Sequence, residues 1–240
     1  MFWSNLKVMN EELLNEIIKS AFLRVKNAYT SHKEINDADN NTKEDLKTLL
    51  VFPQYGQHSS NAGKIRVSEQ ELRFAFVEAF EEFTKGKGLF YSVETPTESK
   101  YLFTDNNSEK VVPRITDKEP GIGKSGQFDL VIHDEKIQRI CIIEFKAGFV
   151  SKTAFKEVLL KLANPEEDKN DVIARRCLIH MVEEECSDAC KNNFDEAKEW
   201  IATKSCLSNT NRKEIFYVNF SLNEEIDDDY KIEDHRVRIE

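Results

Sequence analysis

The chain has 240 residues, 40% hydrophobic and 32% charged, which is the composition of a globular protein rather than a disordered or fibrous one. Its formal net charge of −10 counts against a protein that coats nucleic acid nonspecifically. There is no apolar run near the roughly 20 residues that cross a bilayer, and the opening MFWSNLKVMNEE lacks a signal-peptide pattern; with five scattered cysteines, Cys141, Cys177, Cys186, Cys190 and Cys206, these features predict a cytoplasmic protein with free thiols and no membrane partner.

In chain order, Leu13, Leu14, Ile17, Ile18, Ala21, Phe22 and Val25 recur at helical spacing and predict an amphipathic helix over residues 10–29. Residues 30–43 read as a polar loop, 43–51 as a second short helix, and 52–64 as irregular. This N-terminal helical extension, residues 1–60, offers an apolar helix that would pack on the core, make a symmetric homodimer contact or act as a lid. Residues 68–83 carry the strongest helical pattern. Ser68 and Glu71 fit a capping box, while Leu72, Ala75, Phe76, Ala79, Phe80 and Phe83 share one face. On the wheel, Glu71, Glu78 and Glu82 fall opposite that face. Glu69 falls between Phe76 and Phe80, on the buried side, where a carboxylate is either a frayed first-turn residue or an inward-pointing ligand.

Strands are predicted over residues 88–95 and 101–105, followed by a polar loop over 106–124. Residues 127–133 and 140–147 form two β-like runs around the short charged link 134–138, the pattern of a hairpin. With the turn centred between Lys136 and Ile137, Asp129 lies across from Glu144, and Lys146 shares Glu144's face. Two facing carboxylates repel unless a cation lies between them, and Mg²⁺ suits oxygen ligands of this kind. The bland alternative is a surface salt bridge, but Glu144 follows three apolar residues, an unusual place for a casual surface charge. A helix is predicted over 153–162, a strand over 176–182, a helix over 194–203 and a strand over 215–222. Together these predict an α/β protein with a mixed central sheet of about five strands flanked by helices. Residues 223–240 read as an acidic tail.

An Asp in GQFDLVI followed by Glu144-Phe145-Lys146 in ICIIEFKAG resembles the PD-(D/E)xK nuclease superfamily, with Phe128 where the family often has proline. The resemblance implies a restriction-endonuclease-like core over residues 61–222 and a Mg²⁺-dependent nuclease acting on nucleic acid, DNA above all, with Mn²⁺ able to substitute. It implies Asp129 and Glu144 as metal ligands, Glu69 and the Phe145 carbonyl as further ligands, and Lys146 acting on the attacking water. It also places the helix after the Glu-x-Lys strand beside the catalytic edge, where Lys152 and Lys156 would meet phosphate unless they are ordinary solvated lysines. A non-catalytic binding or regulatory module of the same fold is the second reading, favoured by the acidic balance. A zinc site at His180, Cys186 and Cys190 lacks paired ligand spacing. Gly121-Ile122-Gly123-Lys124-Ser125 lacks the spacing of a phosphate loop.

Overall fold

The computed structural model describes residues 9–37, 48–103, 114–116, 122–168, 171–204, 214–227, 230–232 and 236–239. Seven strands form one mixed sheet in the order β2-β1-β3-β4-β5-β6-β7, with the elements β1 (Phe90–Leu102), β2 (Arg114–Ile115), β3 (Lys124–His133), β4 (Arg139–Ala147), β5 (Arg175–Val182), β6 (Ile215–Ser221) and β7 (Arg236–Ile239). The five long strands are those predicted, and β2 and β7 are short additions at the edges. β3 and β4 are an antiparallel hairpin, while β4, β5 and β6 run parallel. Parallel neighbours need crossovers, and α3 (Lys152–Ala163) and α4 (Ser187–Ala202) supply them.

The sheet separates two apolar layers. On one face α1 (Glu11–Asp37) and α2 (Glu69–Thr84) pack on Ile132, Ile143, Phe145, Ile179 and Phe220. On the other, α3 and α4 pack on Val131, Ile142, Leu178 and Tyr217. The alternation along β4, with Ile142 to one layer and Ile143 to the other, is what a doubly covered strand requires.

α1 runs to Asp37, beyond its predicted end at Tyr29. Its predicted apolar face is consumed inside the chain. Ile17, Ile18, Ala21, Phe22 and Val25 are buried in the same core as the sheet, and Phe22 stacks on Phe220 with ring centroids 3.8 Å apart. The described part of α1 is therefore a layer of the core, and the apolar residues predicted to form its face are covered within the chain. Residues 48–51 are not helical; the rest of the predicted second helix lies outside the described residues. The segment after residue 222 adds β7, paired antiparallel with β6, so it is not simply a tail. β1 joins the two strands predicted at 88–95 and 101–105 into one, with a register shift between Pro96 and Lys100. Proline is tolerated there because β2 pairs only with Tyr101 and Leu102, leaving Pro96 on an edge. Among the described residues no helix is long and apolar enough to cross a membrane.

Candidate active site

The β3–β4 turn sets the register of the site. The Asp134 carboxylate accepts from the amides of Lys136 and Gln138 at 2.9 and 2.8 Å, an Asx-type turn, and Ile137 takes a φ of 61°. Val131 then pairs with Ile142 and Leu130 with Ile143, the register that brings Asp129 opposite Glu144. The ladder opens at that point. Asp129 Oδ2 accepts the Phe145 amide at 2.7 Å instead of leaving it to a regular cross-strand bond. On the other side of β3, Val93 pairs with Leu130 and Thr95 with Phe128. The residue between them on β1, Glu94, has a φ of 48°, a left-handed conformation uncommon outside glycine. Such irregularities beside a strand redirect side chains and end pairing.

A cavity of about 500 Å³ lies at this opening, lined by Glu69, Asp129, Glu144, Lys146, Glu157 and Lys161 among others. Glu144 is only 2% exposed. Its carboxylate is pushed up to about 7 from 4.5, first by burial and then by the Asp129 charge, against the opposing pull of Lys161 and Lys146. Lys161 Nζ, from the last turn of α3, is bonded to the Glu144 carboxylate and to the Gln127 carbonyl, the latter at 2.7 Å. Lys146 Nζ donates to Glu69 Oε1 at 2.9 Å and to the Phe145 carbonyl at 2.8 Å. Burial would lower the Lys146 ammonium, but the Glu69, Glu144 and Asp129 charges together outweigh it and raise its pKa. Glu157, one turn before Lys161 on α3, is also raised, by burial.

The structure thus brings together Asp129, Glu144, Lys146, Glu69 and the Phe145 carbonyl. Glu69 reaches the site from the first residue of α2, as its place on the wheel predicts. Glu71 makes the predicted return bond to the Ser68 amide at 3.1 Å, but it is buried, not exposed as the wheel suggests, because the carboxylate folds back over the helix start. Lys152 and Lys156 are not brought to the cavity. Lys152 pairs with Glu196 of α4 at 2.5 Å, and Lys156 lies over the Trp200 ring. The lysine that α3 does deliver is Lys161, with the carboxylate of Glu157. Their signal was the four-residue spacing, which puts both on one helix face.

The rival zinc reading fails on contacts. His180 is buried, with Nδ1 facing the Tyr217 hydroxyl and Nε2 the Gly148 carbonyl, both at 2.9 Å. Cys190 accepts the Val150 amide at 3.4 Å, and Cys186 ends the short 3-10 helix Glu184–Cys186; of the five cysteines, Cys206 lies outside the described residues. Lys124 and Ser125 begin β3 and form no phosphate loop; Gly121 lies outside the described residues.

The donors at the cavity are all oxygens, which suits a hard cation such as Mg²⁺. Four carboxylates line it against two lysines, and a buried carboxylate held near 7 is one short of positive charge. Among the described residues no three acidic, histidine or cysteine side chains already form a metal cage. Mg²⁺ does not demand one, since one or two carboxylates with waters and substrate phosphate suffice. No family model, curated protein or solved structure matches the chain.

Proposed function

We propose that the protein is a metal-dependent nuclease that hydrolyses phosphodiester bonds of nucleic acid, with DNA the favoured substrate. The observation that carries this reading is the convergence on one cavity of two strand carboxylates, Asp129 and Glu144, with Lys146 and the helix carboxylate Glu69. Asp129 and Glu144 would hold Mg²⁺ or Mn²⁺, with Glu69 and the Phe145 carbonyl contributing directly or through water. When bound, the ion supplies an activated water and offsets charge on the phosphate.

The chain's own groups prepare that chemistry. Lys161 orients the Glu144 carboxylate, and Asp129 is fixed by the Phe145 amide. With its pKa raised, Lys146 is a charged donor, so its part is to orient the attacking water or the phosphate rather than to take a proton at the start. Glu144 loses its residual proton near neutral pH when positive charge arrives.

The test is purified protein with linear and circular DNA, in Mg²⁺ or Mn²⁺ and in chelator. Products are expected only with metal and are expected to disappear in Asp129→Asn. A protein inert on DNA and RNA, with no metal affinity by calorimetry, would overturn the reading. That outcome would favour the second one, a non-catalytic binding or regulatory module, to which the net charge of −10 lends support.

A further inference from the structure

Between the strand that carries Lys146 and the helix that carries Lys161 lies the turn Gly148-Phe149-Val150-Ser151. Every residue around Phe149 is fastened. The Gly148 amide donates to the Met181 carbonyl at 2.8 Å, and its carbonyl meets His180 Nε2 at 2.9 Å. Gly148 has a φ of 63°, which turns the chain sharply out of β4. Val150 is buried, its amide meets the Cys190 sulfur at 3.4 Å, and its carbonyl accepts from Asn193 at 2.9 Å. Ser151 caps α3 by accepting the Ala154 amide at 3.2 Å. Phe149 itself, by contrast, is 60% exposed, and it lines the same cavity as Glu144, Lys146 and Lys161. A rigid turn thus holds an uncovered aromatic plate at the edge of a polar, catalytic-type pocket.

We propose that Phe149 is a base-stacking platform, so that the substrate strand enters the cavity with an unpaired base against this ring. The inference rests on the nucleic-acid reading of the pocket. A nucleotide unit has both a flat apolar face and an adjoining anion, which fits a phenyl ring beside a cavity whose carboxylates would, on that reading, hold a divalent cation facing the phosphate. Stacking on one aromatic face tolerates any base, because every base has a π-face. It also discriminates by structure. Inside a continuous duplex both faces of each base are covered by neighbours, and a base must leave the stack to reach the ring. The site then selects single strands, gaps and frayed ends over closed duplex.

The experiment measures binding apart from cleavage. Anisotropy of a labelled ten-nucleotide dT strand would be followed in the Glu144→Gln background with Mg²⁺, using relaxed closed-circular duplex as competitor. Phe149→Ala is expected to weaken binding of the strand on the order of 10-fold, from the range measured for single stacked bases. Phe149→Trp is expected to retain it, with its indole fluorescence quenched by dT. Circular duplex is expected to compete poorly. Equal affinity of Phe149→Ala and the parent for dT, or competition by closed duplex as strong as by dT, would overturn the proposal. Metal-dependent cleavage by the wild type with no effect of Phe149→Ala on binding overturns the stacking site alone. Binding that depends on Phe149 without any cleavage by the wild type overturns the nuclease reading alone, and no strand binding together with no cleavage by the wild type overturns both. Phe149 is exposed, so melting curves of its variants should overlay that of the parent.

Discussion

Two glutamates in this molecule are almost equally buried, and they are held in opposite ways. Glu167, in the short 3-10 helix Pro165–Asp168, is 3% exposed and accepts from the Glu98 amide at 2.7 Å, the Ser99 amide at 3.0 Å and the Tyr101 hydroxyl at 2.6 Å. Glu144 is 2% exposed, and among the described residues Lys161 is its one hydrogen-bond donor. Glu167 fastens the irregular part of β1 to the end of α3, with Arg176 close by and itself bonded to the Leu162 and Asn164 carbonyls that end that helix. Glu144 lines a cavity with three more carboxylates. A buried carboxylate with its acceptors filled is structural, whereas one left short of donors beside a cavity has capacity for a ligand.

The largest expected effect falls on the filled site. Glu167→Ala leaves two amides and a hydroxyl without an acceptor in the interior and should cost about 3–5 kcal/mol in urea unfolding. A loss under about 1 kcal/mol would erase the distinction between the two glutamates. Glu144→Gln should behave in reverse, keeping or raising metal-free stability near neutral pH while lowering cleavage at least ~10²-fold. Lys146→Ala sharpens this further, since cleavage should fall while calorimetry still registers metal.

Next in size is the response to pH in chelator. Glu144, raised from 4.5 to about 7, keeps its proton in the fold while the unfolded chain releases it, so its contribution to stability falls as pH rises through that window. His180, lowered by burial from 6.5 to about 4, stays neutral in the fold while the unfolded chain takes up a proton, so its contribution rises with pH between those values. The two slopes oppose each other across a shared range. Unfolding free energies at pH 5, 6 and 7 should therefore tilt upward with pH in Glu144→Gln, relative to wild type, and downward in His180→Gln. Parallel profiles for all three proteins would show that neither group titrates as its surroundings require.

The smallest effect separates two neighbours at the start of α2. Glu71→Gln weakens the return bond to Ser68 and should cost about 0.5–2 kcal/mol with cleavage retained. Glu69→Gln removes the charge that holds Lys146, and should lower cleavage and metal affinity with little loss of melting temperature. If the losses of cleavage were exchanged between the two variants, the site would have to be redrawn around Glu71.

Local pattern carried the hairpin, its register and the approach of Asp129 to the Glu144-Phe145 stretch. The alternation in 127–133 and 140–147 and the length of the Asp134–Gln138 link leave few ways to pair, and one of them sets Asp129 beside Glu144. The phase of α2 likewise put Glu69 toward the sheet, because its apolar face is continuous. Glu71 departs from the wheel because a wheel shows direction from the axis and not a side chain curling back to its own helix start.

What the chain could not announce by itself is which arc of a helix meets which neighbour. On α3, Lys152 and Lys161 are nine residues apart, roughly half a turn out of phase at about 100° per residue, so only one of them can face the cavity. The spacing states that opposition and is silent on the choice. The choice came from the parallel crossover, which lays the last turn of α3 across Gln127 and Glu144 and turns Lys152 toward α4. In the same way the sequence determined that α1 is amphipathic, but the far-off strand residue Phe220 decided that its apolar face is covered within the chain. Periodicity is a property of neighbours along the chain and survives in the sequence; the partner of each face is set by packing between distant segments, which only the assembled sheet supplies.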